Sequence, residues 1–169
     1  MKQSMLLLLG IALGSTVACG SRAQRTESFM TSMRTYNDGM RWQRWSHAAS
    51  HIPSAERTAF LDERNELEKE LRIDDWELLR LDYSGDRQSR AKARVRYTWH
   101  LDNEGLVHET TTVQRWQRHG KRWLLDDEIR SVGKKMPGVA EPPRRRAKRP
   151  NRAALRDDGP KTSRGREMP

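Results

Sequence analysis

The chain has 169 residues, 33 of them basic and 23 acidic, for a net charge of +10 at pH 7. That length fits one domain, and a single cysteine excludes an internal disulfide or a cysteine-rich metal site. The basic excess is uneven: residues 134–169 hold twelve basic and four acidic side chains, a net +8, whereas the remainder, Lys2 aside, holds 20 against 19.

The chain opens on Lys2 and an apolar run over 5–17, followed by Ala18 and the lone Cys19. A basic start, a short apolar stretch and a small residue at the cut site make a secretory leader. The run is 13 residues long, and a spanning helix needs roughly 17–25. Ser15, Thr16, Val17, Ala18 and Cys19 resemble the lipobox of bacterial lipoproteins, with Thr16 where that family usually has Leu. The resemblance implies cleavage before Cys19 and acylation of its sulfur and new amino group, which makes the membrane a partner. Several acyl chains hold firmly where one holds marginally. Gly20 follows the cysteine rather than Asp. By the family's sorting rule, that implies the outer membrane, facing the periplasm. The expected division is a leader over 1–18, then an acylated cysteine and tether over 19–25.

A helix is expected over 26–51. Phe29, Met33, Tyr36 and Met40 recur at helical spacing, and Pro53 disfavours helical geometry at the residue before it. A second helix is expected over 54–71, with Ser54 at its start and Phe60, Leu67 and Leu71 as its apolar stripe. The period then switches to two. Residues 76–81 alternate ahead of a turn signal at Ser84, Gly85 and Asp86. The clearest strand follows, with Ala91, Ala93, Val95, Tyr97, Trp99 and Leu101 on one face and Lys92, Arg94, Arg96, Thr98, His100 and Asp102 on the other. Residues 102–105 turn the chain, 107–116 form the next strand, 118–121 turn again, and 122–132 form the last. Helices followed by an antiparallel meander define an α+β domain over 26–133, two helices packed on a curved sheet of about four strands.

This order resembles the nuclear-transport-factor-two-like, or cystatin-like, fold. Small exported bacterial lipoproteins of that kind carry phrases similar to Gly39, Met40, Arg41 and Trp42, to Gln114, Arg115 and Trp116, and to Gly120, Lys121, Arg122 and Trp123. These are packing motifs, and the family hosts enzymes, binding modules and domains without activity. The resemblance therefore implies a fold far more than a reaction.

An enzyme on this fold would need an inward carboxylate or imidazole. By strand parity, Glu109 falls with Val107, Thr111 and Val113, and Asp127 falls with Trp123, Leu125 and Ile129. These two are the candidate catalytic groups. Six Trp read as core filling rather than as the lining of a pocket. His47 and His51 sit four apart without the Glu of a metalloprotease helix or a third ligand. No metal site and no cofactor is expected.

Residues 137–169 are poor in large apolar side chains and rich in Pro, Gly and Arg, a composition that predicts disorder for the tail over 134–169. Arg144, Arg145, Arg146, Lys148, Arg149 and Arg152 form its densest run. Behind a secretory leader the nucleic-acid reading loses force, and no aromatic is present for base stacking. The expected partners are anionic lipid, lipopolysaccharide or wall polymer. The whole reads as an envelope lipoprotein acting as a non-enzymatic binding or structural module. The alternative is a small-ligand carrier or acid–base enzyme using the cone between sheet and helices.

Overall fold

The computed structural model describes residues 17–143, with side chains from Arg22 onward. Three helices, α1 (Val17–Arg41), α2 (Trp45–Ala49) and α3 (Arg57–Leu67), precede four strands, β1 (Leu71–Ser84), β2 (Arg90–Leu101), β3 (Val107–His119) and β4 (Arg122–Gly133). The strands form one antiparallel sheet in the order β1-β2-β3-β4. The expected α+β class, helices first and a four-stranded meander after, is the observed one. No helix among the described residues is long and apolar enough to cross a membrane.

Helix α1 differs from its expected bounds at both ends. It includes residues 20–25, read from sequence as a tether. Arg22, Ala23, Gln24 and Arg25 are good helix formers and outweigh Gly20. It stops at Arg41, and Gln43, at φ 53°, turns the chain into α2. The fold-back depends on Gly39, because a Cβ there would lie 2.8 Å from the Ala48 backbone nitrogen. A glycine in mid-helix, which lowers propensity, is here the residue that lets α2 close onto α1. Helix α3 is shorter than the expected 54–71, since Leu71 and Ile73 already point into the core as the start of β1.

The core lies between α1 and the inner sheet face. Phe29, Met33, Tyr36 and Met40 are buried along α1, and Ala91, Ala93, Val95, Tyr97 and Trp99 are buried along β2. Lys92 and Arg94 face solvent, as the alternation predicts. Phe29 meets Tyr83, Trp116 and Trp123 edge-on at 5.6, 5.8 and 5.1 Å between ring centroids, a favoured geometry for aromatic pairs. Trp99, Trp116 and Trp123 thus fill the cone, whereas Trp42 is exposed. Register shifts interrupt β1 twice and the β3–β4 ladder twice, and such bulges bend a strand and strengthen its twist.

The folded unit does not stop at residue 133. Thr110 Oγ1 donates to the Lys134 carbonyl at 2.6 Å, and the Arg130 amide donates to the Ala140 carbonyl at 2.8 Å. Ala140 bridges Ile129 in parallel, and Met136 and Val139 are buried in the core. Residues 134–140 are therefore a strap over the edge of the domain rather than the start of a tail. Sequence composition merged them with the basic run because two buried apolar residues hardly register among so many charges. Residues 144–169, with Arg144, Arg145, Arg146, Lys148, Arg149 and Arg152, lie outside the described residues, as do residues 1–16 of the leader expected over 1–18.

Candidate functional site

Glu109 is exposed on the outer face, opposite Thr98, and so is not an inward carboxylate. The inward row of β3 is Thr110, Thr112, Gln114 and Trp116, all buried. Parity had followed the apolar residues Val107 and Val113, but Val107 is 66 % exposed. Polar side chains hold the inner row because each finds a buried partner; Trp99 Nε1, for example, donates to Thr110 Oγ1 at 2.8 Å.

Asp127 is likewise turned outward and pairs with Arg115. The cause is a bulge: Trp116 pairs with Leu125 and Arg115 with Asp127, which leaves Asp126 unmatched. One extra residue reverses parity beyond it. The side chain brought inward is Glu128, opposite Gln114.

Glu128 is the hub of a buried polar network. Its Oε2 accepts from the Tyr36 hydroxyl at 2.8 Å. Its Oε1 accepts from Thr112 Oγ1 at 2.8 Å and from Gln114 Nε2 at 3.0 Å. The Tyr97 hydroxyl lies 3.1 Å from the same oxygen and 2.5 Å from Asn37 Oδ1. Having one proton, it serves one acceptor at a time. Asn37 is held in turn by its own Nδ2, which donates to the Met33 carbonyl at 2.8 Å. Burial first, and the neighbouring Glu128 carboxylate second, push both phenols well above the ordinary tyrosine range. Tyr36 and Tyr97 therefore keep their protons and remain donors. A carboxylate spent on three or four internal donors fixes α1 to the sheet and has little acceptor capacity left for a substrate proton.

The network borders a cleft of about 800 Å³. Tyr36 and Glu128 line its floor, Ala59, Phe60 and Arg64 of α3 one wall, and residues 136–139 of the strap the other. Its size falls in the range of small-molecule pockets, roughly 300–1,000 Å³. Arg64 is 3 % exposed; its guanidinium stacks 4.9 Å over Phe60, and Nη2 donates to the Gly138 carbonyl at 2.5 Å. Its Nε and Nη1 have no hydrogen-bond partner among the described residues. Gly138 has a φ of 73°, a conformation that favours glycine, and it lies directly against the Arg64 guanidinium. None of the six Trp lines this cleft.

The remaining candidates are dispersed. Cys19 belongs to the backbone of α1, and its side chain lies outside the described ones. His47 is exposed. His51 stands beyond α2 with Nδ1 3.1 Å from the Trp123 carbonyl, and burial lowers its pKa from the ordinary 6.5. His100 pairs with Asp74 on the outer face. No cluster of three metal-binding side chains occurs among the described residues. The missed residues lay inside apolar stripes: Tyr36 in that of α1, and Arg64 between Phe60 and Leu67 in that of α3, a spacing that itself marks the position as inward. Three consecutive carboxylates at 126–128, where alternation must fail, were the one visible cue to the bulge.

No protein-family model matches the chain, and no curated protein matches it. Among solved structures it is similar to the solution structure of a SEC-C motif containing protein from Rhodopseudomonas palustris, at 16 % identity and a TM-score of 0.50, over 70 % of this chain and 88 % of that one. A likeness at that identity concerns the fold alone, helices leading into an antiparallel sheet.

Proposed function

We propose that this chain is an exported lipoprotein of the bacterial envelope, a nuclear-transport-factor-two-like domain that binds rather than catalyses. The observation that carries the reading is the short apolar leader ending at the one cysteine, Cys19. Acylation there fixes the domain to a membrane. Commitment of Glu128 to internal donors supports binding over proton transfer. The cleft between α3 and the strap provides a place for a ligand or partner segment, and the basic run from Arg144 supplies a second, electrostatic attachment to anionic envelope polymers. The test is fractionation of full-length protein. Wild type is expected in the detergent phase, and Cys19→Ser is expected soluble or unprocessed. Identical partitioning of the two would refute the anchor.

A further inference from the structure

The near-neutral domain is charged at both ends with opposite sign. Arg118 donates its amide to the Ser89 carbonyl at 2.8 Å, which joins the β1–β2 turn to the β3–β4 turn. Ser28 Oγ donates to the Lys121 carbonyl at 3.4 Å, which places α1, at its twelfth residue, beside the same turns. Residues 22–28, 84–91 and 117–122 therefore share one pole. They hold seven cations, Arg22, Arg25, Arg87, Arg90, Arg118, Lys121 and Arg122, against two acids, Glu27 and Asp86. At the other pole, residues 66–75 and 102–106 hold seven acids against Lys69 and Arg72. Arg41 and Lys134 soften that pole but do not reverse it.

We infer that the cationic pole is a docking surface for an anionic lipid bilayer. Two independent observations meet there. One is charge: Arg87, Arg90, Lys121 and Arg122 are exposed, and basic side chains close to an anionic leaflet are attracted within a Debye length of it. The other is continuity, because α1 leads from this pole back to Cys19. The orientation rests on the lipid-anchor reading, whereas the charge attraction does not. With the cationic end down, the acidic end stands beyond the leaflet's screened field, and a tilt that brought it down would meet repulsion, so the dipole favours the upright pose. Cleft and strap then face sideways, free of the bilayer.

Two double variants of the full chain test this, each lowering net charge by the same amount. Arg90→Glu with Lys121→Glu alters the pole, and Lys69→Glu with Lys134→Glu alters the opposite end. The readout is the ratio of binding to phosphatidylglycerol-containing vesicles over pure phosphatidylcholine vesicles at low salt. The pole variant is expected to lower the ratio at least about tenfold and the distal variant by less than about twofold. Equal loss in both would show that net charge alone governs binding, and no loss in either would assign it to the tail; each result overturns the proposal. Arg90→Gln with Lys121→Gln, expected to give an intermediate loss, guards against misfolding of the Glu variant. Cys19→Ser changes binding to neutral vesicles if the anchor reading holds and leaves the anionic-to-neutral ratio intact, so the two ideas fail separately.

Discussion

The inner rows of β2 and β3 cover the same core with different chemistry. Along β2 the row is Ala91, Ala93, Val95, Tyr97 and Trp99, apolar but for one phenol; along β3 it is Thr110, Thr112, Gln114 and Trp116. The first row is held by exclusion of water, which is indifferent to direction. The second is held by hydrogen bonds, which require each donor to meet an acceptor within a few tenths of an ångström. Packing asks for a filled volume of apolar atoms, whereas the polar row asks for particular partners at particular places. The difference explains why one row could be read from sequence and the other could not.

The largest expected effect is on the apolar row. Trp99→Ala removes a side chain that is 1 % exposed and is expected to destabilise by about 3–5 kcal/mol. Arg94→Ala, on the wet face of the same strand, is expected to stay within about 0.5 kcal/mol. Chemical denaturation of the pair checks this, and comparable losses would mean that the two faces are assigned wrongly.

A smaller but more diagnostic effect is expected on the polar row. Glu128→Ala strands the hydroxyl donors of Tyr36 and Thr112, at about 1–3 kcal/mol of destabilisation, whereas Gln114 Nε2 keeps Asn37 and Tyr97 as partners. Glu109→Ala and Asp127→Ala, both facing out, are expected to cost far less. A Glu128→Ala protein as stable as wild type would show that the network contributes nothing and that the carboxylate is free for other work.

The smallest effect is a pH slope at the margin of the two rows. Burial, the leading cause, and Arg122 together lower the pKa of His51 in the folded state, so the unfolded chain binds the proton more readily. Stability is then expected to be complete above the ordinary value of 6.5 and to decline as pH falls below it. In His51→Asn that part of the slope should vanish. A slope unchanged by the substitution would assign it to other groups.

Much of the fold was legible because its signals are periodic: the helical stripe of α1, the alternation of β2 and three turn signals each survive local noise. The boundaries were less so. One helix was expected over 26–51, and Gly39 is the close contact that permits two there. The candidate site was scarcely legible. Glu109 and Asp127 were chosen by a parity that one unmatched residue, Asp126, undoes. Polar residues in a core follow partners rather than period, and the partners of Glu128 come from α1, β2 and β3, far apart in the chain.

That separation has a consequence for the order of events as the chain is made. Helix α1 leaves the ribosome before any strand, yet Tyr36 waits 92 residues for Glu128, and Arg64 waits 74 residues for Gly138. Contacts of such sequence separation make folding slow, since long loops must close before any contact rewards them. The last buried side chain, Val139, stands near the end of the described chain. A domain closed by its strap stays open until residues 134–140 have been made, so the inner faces of α1 and all four strands wait for a segment that follows them in the chain.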